Sequence, residues 1–183
     1  WAFEFENQPW YYGFRDLATN GVEKPVLNVF RMFGMMKGRR VAVSGNQLYD
    51  LKTMVDSSVR RNYNDVGGLA VKDKKSATVM VWNYHDDDVV KPALPVEITI
   101  DGVPAKSAMV TQYIIDDKHS NSYEVWKKMG SPESPTKEQI ATLEKARQLE
   151  KVSVMKNQPV ILGKLKITTV LAQQAVVLLK VDW

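Results

Sequence analysis

Residues 1–33 constrain the chain most, because they place one strand, one loop and one helix ahead of a sequence that otherwise reads almost entirely as strands. Trp1, Phe3 and Phe5 alternate with Ala2, Glu4 and Glu6, the two-residue period of a strand. Asn7-Gln8-Pro9 ends it, and a loop follows that carries Trp10, Tyr11, Tyr12, Gly13 and Phe14. Lys24-Pro25 then opens a predicted helix, with Val26, Val29, Phe30 and Phe33 at helical spacing. One strand and one helix make a poor domain start, since neither has a layer of its own to pack against. They make good sense as the last β/α unit of a barrel whose earlier units lie upstream. On that reading the chain holds the rim of an active site and not its centre.

Downstream the patterning is mainly β. Residues 39–44 form a short alternating strand, and the polar stretch 45–64 is expected to be a long surface loop. Residues 66–72 and 77–85 are strands joined by Asp73-Lys74-Lys75-Ser76, a hairpin by its turn composition. The second strand has Val79 and Val81 on one face and Met80, Trp82 and Tyr84 on the other, so it should lie at the centre of a sheet. Val96, Ile98 and Ile100 alternate with Glu97, Thr99 and Asp101, a strand with one wet face, and residues 108–116 are again strand-like. Polar and aromatic residues then fill 119–128. Thr136-Lys137-Glu138-Gln139 has the form of a capping box and opens a predicted helix over 137–149, with Ile140, Leu143 and Ala146 buried. Strands at 159–162, 165–170 and 173–183 close the chain. Ala175, Val177, Leu179, Val181 and Trp183 share one face of the last. Seven or eight strands with one helical insertion predict a two-sheet antiparallel β-sandwich.

Composition narrows the function classes. The net charge of +4 comes from scattered clusters such as 37–40 and 72–75. Neither cluster is interleaved with aromatics, which argues for solvated loops and against a nucleic-acid surface. Cysteine is absent and histidine occurs twice, so disulfides are excluded and a structural zinc site is not expected. No signal peptide or membrane span is visible, and the location of the parent protein stays open. No phosphate-binding glycine loop is present, and no cofactor is expected.

The candidate chemistry lies in carboxylates and aromatics. Glu4 and Glu6 project from the same face of one strand, about 7 Å apart. A glycosidase pair flanks the scissile bond from different strands, so these two read better as contacts to sugar hydroxyls, or as partners of Arg15. Trp1, Trp10, Tyr11 and Tyr12 are suited either to stacking on pyranose faces or to packing. His85-Asp86-Asp87-Asp88 is rich in oxygen ligands but lacks the alternating spacing and turn glycine of a calcium loop, which favours turn capping and pairing with nearby bases. His119 reads as a loop hydrogen-bonding residue.

Several of these segments together resemble glycoside hydrolase family 39, which contains β-xylosidases and α-L-iduronidases. Gly13-Phe14, Leu17 to Gly21 and Lys24 to Phe33 are similar to the end of its catalytic barrel. Val81 to Asp88 resembles the first part of its accessory sandwich, and Gln174 to Leu179 the last strand of it. Tyr113 to Asp116, His119 to Asn121, Trp126 to Pro132 and Pro135-Thr136 resemble its helical insertion. The resemblance implies a retaining glycosidase whose two catalytic carboxylates lie upstream of Trp1 on a (β/α)8 barrel. It implies two parts: residues 1–36 as the last barrel strand, loop and helix, and 37–183 as a sandwich with a helical insertion at about 119–150. Trp1, Glu4, Glu6 and Arg15 would then line the sugar pocket, with no catalytic residue in this chain. The implied partners are the N-terminal barrel of the same protein and, through the parent site, a xylose-containing oligosaccharide. The rival readings are an α-L-iduronidase-like parent, a stand-alone carbohydrate-binding or structural sandwich, and a protein-interaction domain that uses the exposed helix.

Overall fold

The computed structural model describes residues 9–13, 16–60, 62–87 and 91–183. In chain order its elements begin with β1 (Ala18–Thr19), β2 (Val22–Glu23), α1 (Pro25–Met35), β3 (Arg39–Val41), α2 (Leu51–Ser57), β4 (Asp65–Lys72) and β5 (Ser76–Tyr84). There follow β6 (Leu94–Asp101), β7 (Ser107–Ile115), α3 (Ser122–Lys128), α4 (Lys137–Ala146), β8 (Glu150–Ile161), β9 (Lys164–Leu171) and β10 (Val176–Asp182). The strand expected over residues 1–6 lies outside the described residues. Two compact units divide the chain: residues up to Gly34 with Ile115–Glu150, and Met35–Ile114 with Lys151–Trp183.

In the first unit, Asn20 and Gly21 both have positive φ, the requirement of a two-residue hairpin turn, and they join β1 to β2. The apolar contacts run from Trp10 and Val22 to Leu143 of α4. The capping box forms as the sequence predicts: Thr136 Oγ1 accepts from Gln139 N–H, and Gln139 Oε1 accepts from Thr136 N–H at 2.8 Å. Leu143 is fully buried, and the helix stops at Ala146, earlier than expected. Residues 122–128, read from sequence only as a polar and aromatic stretch, form α3. Asn121 caps it by accepting from Glu124 N–H at 3.1 Å.

Helix α1 has an unusual polarity. The expected apolar side is largely in solvent, with Val26, Phe30 and Phe33 at 44%, 57% and 47% exposure. Its buried residues are Asn28 and Met32. Asn28 makes up for its burial by full hydrogen bonding. Its Nδ2 donates to the carbonyls of Ser120 (3.0 Å) and Arg147 (2.9 Å), and its Oδ1 accepts from Arg31 at 2.8 Å. Arg147 is the C-cap of α4, so Asn28 satisfies one of that helix's terminal carbonyls.

In the second unit, eight strands hydrogen-bond in the order β3-β4-β5-β10-β7-β8-β9-β6. The mainly-β expectation holds. The strands follow one hydrogen-bonded order, in which β7 lies between β10 and β8. That sheet curls around a single core. Val79 and Val81 of β5 sit opposite Leu179 and Val177 of β10 in antiparallel register, and the cluster continues through Val110, Leu165 and Ile167. β5 is central and buried on both faces, as its sequence predicts. The 73–76 turn closes through Asp73 N–H to Ser76 C=O at 2.9 Å.

Two expectations are corrected. The stretch 45–64 is not all loop, because Asp50 accepts from Thr53 N–H and starts α2. Strand β8 begins at Glu150, well before residue 159. One glycine in this unit is demanded by packing. Gly67 faces Trp82 across β4–β5, and a Cβ there would lie 2.6 Å from the indole. Trp82 Nε1 donates to buried Asp65 at 2.9 Å.

Candidate functional site

The expected pocket residues Trp1, Glu4, Glu6 and Arg15 lie outside the described residues. Of the stretch expected to form the rim, the loop after Pro9 is described, and it folds through Tyr12 N–H to Pro9 C=O at 3.1 Å. Tyr11 N–H donates to Thr19 Oγ1 at 2.9 Å. Lys24 donates to the carbonyls of Tyr12 (3.0 Å) and Gly13 (2.8 Å), so its ammonium staples the loop to the start of α1. Burial pushes the Lys24 pKa down, against the opposing pull of Asp16. Gly13 has φ +89°, and a Cβ on it would overlap the Asp16 carboxylate.

The loop aromatics separate into packing and exposed roles. Trp10 is buried against Val22 and Leu143. The Tyr11 ring lies 5.0 Å from Trp126 and 5.3 Å from Tyr123, centroid to centroid. Its hydroxyl is shielded without a hydrogen bond of standard geometry, and burial pushes its pKa up to about 12, with neighbouring Ser122 opposing the shift. Tyr12, at 68% exposure, keeps its ring in solvent. Of the three described candidates for sugar stacking, only Tyr12 presents a face.

The charged groups nearby serve structure. Glu23 accepts from Arg31 Nη2 at 2.6 Å and also from Arg147, which in turn binds Glu144. Burial would raise the Glu23 pKa, but the two arginine hydrogen bonds outweigh it and hold the carboxyl below its ordinary value. Glu144 and then Glu23 push Arg147 up. Carboxylates held this way by guanidinium groups are poor proton donors.

The His85-Asp86-Asp87 segment, in the other unit, is a capping device. Asp86 accepts from Tyr84 Oη at 2.7 Å and from Val59 N–H at 3.1 Å, and it pairs with Arg60 at 3.4 Å. The Tyr84 hydrogen bond holds the Asp86 pKa down, with smaller help from Val59 and Arg60. His85 Nδ1 accepts from Asp87 N–H at 3.0 Å. Among the described residues, no group of three histidine or carboxylate side chains is placed to hold a metal. Asp88 lies outside them. His119 binds Asp116 Oδ1 at 2.9 Å, the loop role its sequence suggested.

Sequence reasoning missed the β1–β2 turn and the polar seat of Asn28. Asn20-Gly21 was an available signal for the first. The second had none, since an asparagine within a helix more often faces water.

The fold recurs in proteins of known structure. It matches the GH39 enzyme of Xanthomonas axonopodis pv. citri with a TM-score of 0.73 at 19% identity, covering 96% of this chain and 33% of that one. A monomeric β-xylosidase of Caulobacter crescentus CB15 matches at 0.65 and 16% identity, over 92% of this chain and 32% of that one. In sequence, a β-xylosidase of Caldicellulosiruptor saccharolyticus is 23% identical over 146 residues, 80% of this chain and 27% of the relative. The model of "Glycosyl hydrolases family 39" matches residues 3–159. The chain belongs to that family. It spans about a third or less of the length of these relatives.

Proposed function

We propose that the chain is the C-terminal portion of a retaining, β-xylosidase-like glycoside hydrolase, in which it completes the catalytic barrel and braces the active-site rim. Residues 1–36 supply the last barrel strand, loop and helix, and 37–183 form the accessory sandwich-type domain with its helical insertion. The observation that carries this reading is the polarity of α1. A helix that buries Asn28 and exposes Val26, Phe30 and Phe33 presents an apolar side suited to neighbouring barrel elements. The β-xylosidase relatives favour that activity for the parent, and an α-L-iduronidase-like parent is the second family expectation. Trp1, Glu4, Glu6 and Arg15 are proposed as sugar contacts, with Tyr12 the described aromatic best placed in solvent to join them.

The test compares the 183-residue chain with the protein encoded by its whole gene on an aryl β-xyloside. The whole protein should hydrolyse it and the chain alone should not. Hydrolysis by the chain alone would overturn the claim that both catalytic carboxylates lie upstream. Retention of the chain on xylan in affinity electrophoresis, lost with Tyr12→Ala, would favour a carbohydrate-binding module instead.

A further inference from the structure

Tyr12 and Gly13 stand exposed side by side in the loop after Pro9. Among the described residues, two groups hold their backbone by hydrogen bonds. One is the Pro9 carbonyl, which accepts from Tyr12 N–H. The other is Lys24, whose ammonium donates to both the Tyr12 and the Gly13 carbonyls. The residues before them have anchors of their own. Trp10 packs on Val22 and Leu143, and Tyr11, with φ +58°, sends its ring to Tyr123 and Trp126. Lys24 is therefore not what packs the loop into the core. It fixes the course of the chain after Tyr11, and with it the direction of the solvent-facing Tyr12 ring.

Three residues combine in this hold. Successive carbonyls of an extended chain point opposite ways. These two converge on one ammonium because Gly13 takes φ +89°, which glycine alone adopts readily. Buried Asp16 fills the space beside Gly13 where a Cβ would stand, and its charge favours the ammonium. An ammonium that exchanges water for carbonyls is a charge-assisted donor, about twice as strong as a neutral one. A pyranose carries C–H groups on its faces, and a ring already held in place loses little freedom when such a face stacks on it.

We propose that Lys24 is a positioning residue for sugar binding: it holds the Tyr12–Gly13 backbone so that the Tyr12 ring presents its face to a pyranose of the substrate. This role rests on the glycosidase reading above, and the experiment separates the failure of one from the failure of the other.

The experiment uses the protein encoded by the whole gene. Lys24→Met removes the ammonium. Lys24→Cys, in a stretch of 183 residues that has no cysteine, allows bromoethylamine to rebuild an ammonium on a side chain of the same length. The unsubstituted protein treated with the same reagent is the control. Should Lys24→Met disturb the fold, Lys24→Cys before and after alkylation supplies the same comparison. Hydrogen exchange over residues 9–13 should quicken about tenfold in Lys24→Met, as loss of a charge-assisted contact does, and return to the original rate in the alkylated variant. On an aryl β-xyloside, Lys24→Met should raise KM several-fold with kcat little changed, because stacking holds the ground and transition states alike. Alkylation should restore KM. With Tyr12→Ala already present, Lys24→Met should add nothing to KM. Exchange that ignores the ammonium would overturn the positioning role. A KM penalty that persists in full beside Tyr12→Ala would overturn Tyr12 as the group positioned, and faster exchange with an unchanged KM would overturn the sugar contact. No turnover by the unsubstituted protein would instead bring down the glycosidase reading, and the sugar-binding role of Lys24 with it.

Discussion

Helix α1 and strand β10 carry apolar stripes that are equally plain in sequence, and they meet opposite fates. Val177, Leu179 and Val181 of β10 are fully buried in the core of the curled sheet. Val26, Phe30 and Phe33 of α1 stay substantially in water, while the polar Asn28 is enclosed. Periodicity therefore reveals that an apolar side exists, and says nothing about whether its cover belongs to the same stretch of chain. The β10 stripe is closed by strands within 183 residues. The α1 stripe is not closed by any described residue.

The contrast can be broken or sharpened by substitution. Leu179→Ala should cost about 2–5 kcal/mol, because a fully buried leucine leaves a cavity; chemical denaturation of the chain reads it directly. Asn28→Leu should also destabilise, by about 1–3 kcal/mol, although it adds apolar surface to a helix. The Ser120 and Arg147 carbonyls would lose their donor. If Asn28→Leu instead stabilised the chain, the polar seat would be incidental.

A smaller effect follows from Glu23, whose pKa is lowered by Arg31 and Arg147 against the opposing influence of burial. A lowered carboxylate contributes stability above the unfolded-state value, about 4.3, and loses it as pH falls through the folded-state value. Glu23→Gln should flatten that acid-side slope and cost at most about 1 kcal/mol near neutrality, since both arginines are partly in solvent. The smallest change is expected from Phe30→Ser with Phe33→Ser, within about 0.5 kcal/mol for the chain alone. Light scattering should show less self-association. A large loss of stability would mean that the exposed stripe is covered in solution.

Much of the sheet was legible because its signals are local. The two-faced run of β5, the 73–76 turn and the Thr136–Gln139 box each lie within a few residues. Short helices were not legible, since α2 and α3 have seven residues each, too few for a period to stand out. Their caps, Asp50 and Asn121, are local, but a single cap residue does not mark a helix without a period behind it. The aromatic loop after Pro9 was half legible. Aromatic content marked the loop, but the division between buried Trp10 and exposed Tyr12 depends on Val22 and Leu143, the latter more than a hundred residues away.

The Trp82–Gly67 contact has a consequence for how the sheet is assembled. A flat ring over a missing side chain works like an alignment pin in its hole. Slide β4 by one residue against β5 and every side chain changes face, while the indole loses its recess and Asp65 one of its two donors. The β4–β5 hairpin therefore has one frame in which the pin seats, and the next strand, β10, is laid on an edge already set to the right phase.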